Sequence, residues 1–305
     1  HIDWRIKCGC RNITEEPPYS YILYNGVWWY PNENGSLLKA RLDRGILHKI
    51  EGYMREKYGI LPPIRMVSRL HSVSDYDEAC PCNPHYPPLF VLANKLEEVG
   101  FIRRPTMYIT PKWAEKEGDG LLAKHKDWDE KVPIACWRGN VGTKLGGRER
   151  LTAMLLQQRL NDEIPEYGKL FNFAATRRIK NTTAVELMTK MDTMQLPVKG
   201  HTGASLFSNY KYNVHLPGHT QGGYSRALQN LLPQLTAILF WESPYREFYY
   251  DWLVDGRDYL SVTPRNLVQT VLYLSEHDEE AKKLGENAIS FYQKYLHAED
   301  IFTYW

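Results

Sequence analysis

Apolar residues first recur at helical spacing between positions 36 and 58, where Leu37, Leu38, Leu42, Ile46, Leu47, Ile50 and Met54 share one face. Ser36, after Gly35, suits an N-cap and Gly59 suits a stop, so the pattern predicts an amphipathic helix. The stretch before it, to about Tyr30, is aromatic and rich in Pro and Asn, and reads as an extended arm. IRMVSRL (64–70) predicts a strand, while HSVSDYDEACPCNPHYPP (71–88) carries the prolines and Asx residues of a loop. PLFVLANKLEEVG (88–100) reads as helical at its end and TMYIT (106–110) as another short strand.

Residues 111–131 are charged, contain glycine and are only weakly periodic, as an interdomain connection is. Beyond them, VPIACW (132–137), LFNFAA (170–175), KYNVHL (211–216), TAILFW (236–241) and YLSV (259–262) predict strands. RERLTAMLLQQRL (148–160), REFYYDWL (246–253), PRNLVQTVLYLSEH and DEEAKKLGENAISFYQKYL predict helices. Such alternation predicts an α/β protein whose parallel sheets carry helices on both faces. Two units are expected: residues 1–128, then 129–295, with 296–305 a tail free to return to the first unit. Ligands of such sheets sit beyond the C-terminal ends of the strands.

The length of 305 residues and 43% hydrophobic content allow two ordinary domains. With 38 Lys+Arg against 36 Asp+Glu, the charges nearly cancel, which argues against a nucleic-acid partner recruited by net charge. The 21 Tyr and 9 Trp suit sugar faces and bases as well as cores. No run approaches the roughly 20 apolar residues of a membrane span, and HIDWRIKCGC lacks a signal-peptide core. The expectation is a soluble chain without stable membrane insertion, cytoplasmic rather than lumenal. Cys8, Cys10, Cys80 and Cys82 form two C-x-C pairs beside a lone Cys136. A disulfide between the pairs, free buried thiols, or a metal site of unusual ligand spacing all remain open.

Two glycine-rich turns follow predicted strands. Between Trp137 and Arg150, the sequence WRGNVGTKLGGRER combines glycines with Arg138, Lys144, Arg148 and Arg150 but fits neither a P-loop nor a dinucleotide fingerprint. It suits an anion held by backbone N–H groups, a helix dipole and arginines, or else a flexible turn with solvated arginines. In KYNVHLPGHTQGGYSRALQNLL (211–232), Gly222 and Gly223 permit close backbone approach, Ser225 caps a helix or touches an oxygen, and Arg226 suits a phosphate or a surface salt bridge. Two phosphates would explain both turns. The 71–88 loop holds His71, Asp75, Asp77 and Glu78; these are solvated turn formers, or one is a base facing the anion site across a cleft. The residues alone do not choose among the acids.

HKDWDEKVPIACWRGN (125–140) with Arg150, then KYNVHLPG and GGYSRALQNLL, then ESPYREFYYDWLVDGRDYLSV (242–262), resembles glycosyltransferase family 90. That family includes Rumi-type protein O-glucosyltransferases and fungal capsule xylosyltransferases, and the chain's small size suits its compact algal-virus members. The resemblance implies a GT-B fold, two Rossmann-like domains facing each other across a cleft. It implies an inverting, metal-independent transfer from a UDP-sugar, xylose ahead of glucose, to a glycan or glycoprotein acceptor, with no cofactor beyond the UDP-sugar co-substrate. The implied donor-binding residues are Trp137, Arg138, Gly139, Thr143, Arg150, Gly222, Gly223, Tyr224, Ser225 and Arg226, with Asp75 as catalytic base ahead of Asp77. SRLHSVSDYDEACP departs from the family's N-x-x-D-x-P context, and Asp258-Tyr259 stands where H-Y is usual. A non-catalytic carbohydrate-binding protein on the same scaffold is the alternative; an epimerase would need the absent G-x-G-x-x-G.

Overall fold

The computed structural model describes residues 113–141, 147–176, 196–200, 203–218, 225 and 227–304, residues 52, 55, 56 and 59, and short strands before residue 104. Strands β1 (Ser20–Tyr24) and β2 (Val27–Trp29) form an antiparallel hairpin with Ile22 opposite Trp29. The first segment is therefore a sheet edge and not an extended arm. Asn25-Gly26, the pair that tight hairpin turns favour, is the signal that reading passed over. Residues 52, 55 and 56 are helical, and Gly59 ends the turn at φ +79° with its N–H on the Arg55 carbonyl at 2.9 Å. The rest of 36–58, the 71–88 loop, the 106–110 segment and the four paired cysteines lie outside the described residues.

Strand β3 (Ile64–Ser68) pairs antiparallel with β1, and β4 (Leu89–Val91) joins β3 in parallel. After β5 (Ala93–Lys95), β6 (Phe101–Arg103) extends the sheet in parallel, giving the order β2-β1-β3-β4-β6. This sheet is mixed, whereas the alternation predicted parallel pairing. A two-residue link can close only an antiparallel pair; parallel neighbours need a crossover. Strand β5 also lies within the segment expected to turn helical.

A π-helical turn, Ala114–Gly118, runs into α1 (Asp119–Ala123). Trp113, Ala114 and Trp128 precede the expected 128/129 boundary yet are buried in cores of the C-terminal half. Then follow β7 (Val132–Gly139), α2 (Gly147–Glu163), α3 (Pro165–Gly168), β8 (Phe171–Ala175) and β9 (Tyr210–His215). Next come α4 (Ala227–Leu231), β10 (Ala237–Trp241), β11 (Tyr245–Glu247) and β12 (Leu260–Val262). Helices α5 (Leu267–Glu276), α6 (Asp278–Tyr295) and α7 (Ala298–Tyr304) finish the chain. The second sheet has the order β12-β10-β9-β7-β8 and is parallel throughout. The fold is the α/β, GT-B class expected: each half carries its own five-stranded sheet, and the C-terminal one is Rossmann-like.

Period-two alternation divides the parallel sheet between two cores. Ala135, Trp137, Phe173, Val214 and Leu239 face α2 and α5, while Ile238 and Phe240 face α4 and Trp113. Each fully buried side chain of this size contributes about 1.5–3 kcal/mol. Helix α6 reaches both cores by crossing the start of β10 at Gly285, where a Cβ would lie 2.9 Å from the Thr236 nitrogen. The helix predicted over 246–253 is instead β11 followed by a 3₁₀ turn, Tyr250–Trp252, because 245–247 pairs with β5 of the other half. In the 296–305 tail Ala298–Tyr304 is helical, and Leu296 and Ile301 are buried in the core that holds Trp113. Among the described residues, no helix is long and apolar enough to cross a membrane.

Candidate active site

Strand β7 has β8 on one side and β9 on the other, and later strands add beyond β9. The connections leaving β7 and β9 therefore diverge, opening a crevice beyond their C-terminal ends. Arg150, in the first turn of α2, spans it. Its Nε donates to the Pro217 carbonyl at 2.8 Å and its Nη1 to the Asn140 carbonyl at 2.7 Å. One guanidinium thus ties the segment after β9 to the segment after β7, at 7% exposure. Among the described residues this uses two of its five N–H donors. Burial lowers its pKa to about 10 against the pull of Glu149, so it stays cationic at neutral pH.

Trp137 lies beneath this clamp. Its ring is 2% exposed, and the Arg150 guanidinium carbon sits 5.7 Å from the ring centroid. Gly139 is needed because a Cβ there would meet the Trp137 ring at 2.6 Å. The Thr176 hydroxyl donates to Asn140 Oδ1 at 2.7 Å and the Thr176 N–H to the Gly139 carbonyl at 2.9 Å, which fixes the end of β7. Arg138 points to the other face of the strand. Its Nη1 donates to the carbonyls of Trp137 and Asn172 and its Nη2 to Asn172 Oδ1 at 2.8 Å, which Lys199 shares at 3.1 Å. Its guanidinium therefore lies back along β8, away from the crevice mouth.

Ser225, 4% exposed, precedes α4, and its hydroxyl accepts a long bond from the Ala227 N–H at 3.4 Å. A buried polar chain runs beside it: the Tyr250 hydroxyl donates to Glu247 Oε1 at 2.8 Å and lies 3.2 Å from His215 Nε2. Burial raises the Glu247 carboxyl to about 8, opposed by Tyr250 and the Ser225 backbone N–H. Burial, and next the Arg150 charge, lowers His215 to about 3. Both side chains are consequently neutral at pH 7. An open cleft of about 480 Å3, lined by Phe240, Glu242, Ser243, Arg246, Tyr259 and Ser261, adjoins the ends of β10 and β12.

The structure thus brings Gly139, Arg150 and Trp137 together at the crevice, adds a buried Ser225, and turns Arg138 elsewhere. Asp75, Asp77, Thr143, Gly222, Gly223, Tyr224 and Arg226 lie outside the described residues. Asn140, Pro217, His215, Glu247 and Tyr250 entered the site without having been assigned a role. A polar residue ending an apolar strand (YNVH) and an acid among aromatics (YREFYY) were the available signals. Among the described residues, no group of three or more His, Cys, Asp or Glu side chains is placed to hold a metal ion.

Protein O-glucosyltransferase 2 of Danio rerio is 25% identical over 180 residues, which cover 58% of this chain and 32% of that protein. The chain therefore spans about a third of that relative's length. Sucrose-phosphate synthase from Thermosynechococcus elongatus superposes with a TM-score of 0.43 at 14% identity, covering 78% of this chain and 55% of that one. Anabaena HepE in complex with UDP-glucose gives 0.39 at 12% identity, covering 66% and 52%. Residues 112–305, more than half of the chain, match the profile described as Glycosyl transferase family 90. The matched span includes the Trp137-Arg138-Gly139 end of β7, the Arg150 clamp and the Ser225 turn, and the chain belongs to that family.

Proposed function

We propose that this protein is an inverting, metal-independent glycosyltransferase that moves a sugar, xylose ahead of glucose, from a UDP-sugar to a hydroxyl of a glycan or glycoprotein acceptor. The N-terminal unit serves the acceptor and the C-terminal unit the donor. The observation that carries the reading is the Arg150 clamp, a buried cation that keeps spare donors among the described residues, at the switch point of a family 90 sheet. A diphosphate is an anion that such a crevice suits, because the cation is desolvated and its direction is fixed by two carbonyls. Gly139, Thr143 and Gly222 to Arg226 supply close backbone approach and further donors. Trp137 supports from beneath, and Arg138 adds positive potential from the far face.

In the reaction, Asp75, with Asp77 as the next choice, accepts the proton of the acceptor hydroxyl. The oxygen bonds to C1 of the α-linked sugar from the opposite face. The bond from C1 to the β-phosphate oxygen breaks, and UDP leaves with the electron pair. Arg150 and Arg226 neutralise the charge that develops there, a role worth several kcal/mol in the transition state. A pocket that excludes the C6 hydroxymethyl would set xylose against glucose. The test incubates the protein with a panel of UDP-sugars in EDTA, with and without simple glycoside acceptors, and measures released UDP. Acceptor-stimulated release from UDP-xylose, lost in Asp75→Asn, is expected. Glycan binding with no turnover of any donor would overturn the proposal in favour of a non-catalytic lectin-like role.

A further inference from the structure

Glu247 is 1% exposed, and the described residues place no cation against it. Such a carboxyl is a poor choice for packing alone, since burial penalises its charge and an apolar or amide side chain would avoid that penalty. Three elements converge on it. His215 ends β9, two residues before the Pro217 carbonyl that holds Arg150. Tyr250 opens the 3₁₀ turn and links His215 to Glu247 Oε1. Ser225 brings its backbone N–H towards the carboxyl from the start of α4. Glu247 Oε2 has no hydrogen-bond partner among the described residues. The backbone of Glu247 faces the opposite way: it pairs with Ala93 in β5, beside Arg246 with Asn94 and Tyr245 with Lys95.

We propose that Glu247 is a positioning residue of the donor site: its carboxyl, held by Tyr250, seats Ser225, and its strand ties that seat to the N-terminal half through β5. The inference rests on the donor reading above. The competent form is the neutral acid. The groups facing it are Tyr250, neutral His215 and the Ser225 amide, with Arg150 beyond His215, so a proton on the carboxyl removes like-charge repulsion with an incoming diphosphate. Ionisation above its raised pKa would restore that repulsion.

The experiment compares wild type, Glu247→Gln, Glu247→Ala and Tyr250→Phe as full chains. Amide hydrogen exchange of 225–231 is measured without ligand, and UDP is titrated at pH 7 and pH 9. Losing the seat should speed exchange and weaken UDP by about tenfold in Glu247→Ala, the equivalent of one buried hydrogen bond. Glu247→Gln keeps the shape without the charge; it should stay within about threefold of wild type at pH 7 and lack the several-fold loss of affinity that wild type shows at pH 9. Tyr250→Phe should give the same two changes at smaller amplitude, which preserves the test if Glu247→Ala does not fold. Unchanged exchange in both Glu247→Ala and Tyr250→Phe overturns the positioning role. Equal losses in Glu247→Gln and Glu247→Ala overturn the neutral acid. If wild type binds no UDP, the donor reading fails, and the exchange comparison still decides whether Glu247 seats Ser225.

Discussion

Lys131 and Arg150 do the same structural job at opposite ends of one sheet. Lys131 Nζ donates to the carbonyls of Ser208 at 2.7 Å and Gln234 at 3.0 Å, just before β9 and β10 begin. Arg150 donates to the carbonyls of Asn140 and Pro217, just after β7 and β9 end. Both cations are buried, and in both cases burial is the main reason for a lowered pKa. Lys131 falls to about 8 and Arg150 only to about 10. A pin between strand starts can be a lysine near its neutralisation point; a cation meant to meet an anion must stay charged and keep donors in reserve. At the end that holds Lys131, Asp278 is occupied by Lys211 at 2.7 Å and by Trp128 at 2.9 Å, while Gln234 Oε1, Asn213 Oδ1 and the Tyr212 hydroxyl lack partners among the described residues. Around the other end, Glu247 Oε2 and His215 Nδ1 lack partners among the described residues. Each such atom costs about 1–3 kcal/mol, and they occur at both ends, so it is the retained charge of Arg150 at the crevice beyond the strands' C-terminal ends that sets that end apart.

The largest effect that would break this comparison is on Arg150. Arg150→Ala should weaken UDP by about a hundredfold and lower stability by about 3 kcal/mol, because two buried carbonyls lose a charged donor. Arg150→Lys should recover less than half of that affinity, since an ammonium cannot hold two carbonyls and still present a planar fork. Equal UDP affinity in Arg150→Lys and wild type, read by calorimetry, would remove the reason for an arginine. Lys131→Met should cost about 2 kcal/mol in urea unfolding and leave UDP affinity within about twofold. Lost UDP binding there would mean that the two ends are not separate.

Titration sharpens the contrast. Lys131 has a folded pKa of about 8 against 10.5 when unfolded, so between those values the unfolded chain holds the extra proton and stability gains with pH. Glu247 has about 8 against 4.5, so between those values the folded chain holds the extra proton and stability is lost as pH rises. Glu247→Gln should therefore gain on wild type by about 3.5 kcal/mol from pH 5 to pH 8 in denaturant midpoints, with little change from pH 8 to 9. A constant difference across that range would contradict the buried neutral acid. The smallest expected effect is at the closed end: Gly285→Ala should cost about 1–2 kcal/mol, because the Thr236 backbone cannot give way, while Gly120→Ala, with nothing within 4 Å, should be near neutral.

The parallel sheet was legible because its strands are short apolar runs bounded by turn residues, as in TAILFW and KYNVHL, whose observed ends lie within a residue or two of those expected. The N-terminal hairpin was missed because aromatic strand formers sit among prolines that suggest a loop. The REFYYDWL segment was misread because its apolar spacing fits a helix, while a partner strand some 150 positions earlier decided its backbone. The glycine turns and Arg150 showed in composition. That Arg150 would grip two carbonyls while Arg138 turned back onto Asn172 depends on which face of β7 each residue occupies, and that follows from the register of the sheet. The role of Glu247 was illegible for a similar reason: its partners are 22 positions away at Ser225 and 32 at His215, and no local pattern joins them.

The most direct test of the account is the product itself. Proton NMR of a reaction containing the protein, UDP-xylose, a glycoside acceptor and EDTA should show UDP accumulating with a β-linked xyloside, whose anomeric coupling identifies inversion. An α-linked product, or transfer that begins only when a divalent metal is supplied, would contradict it.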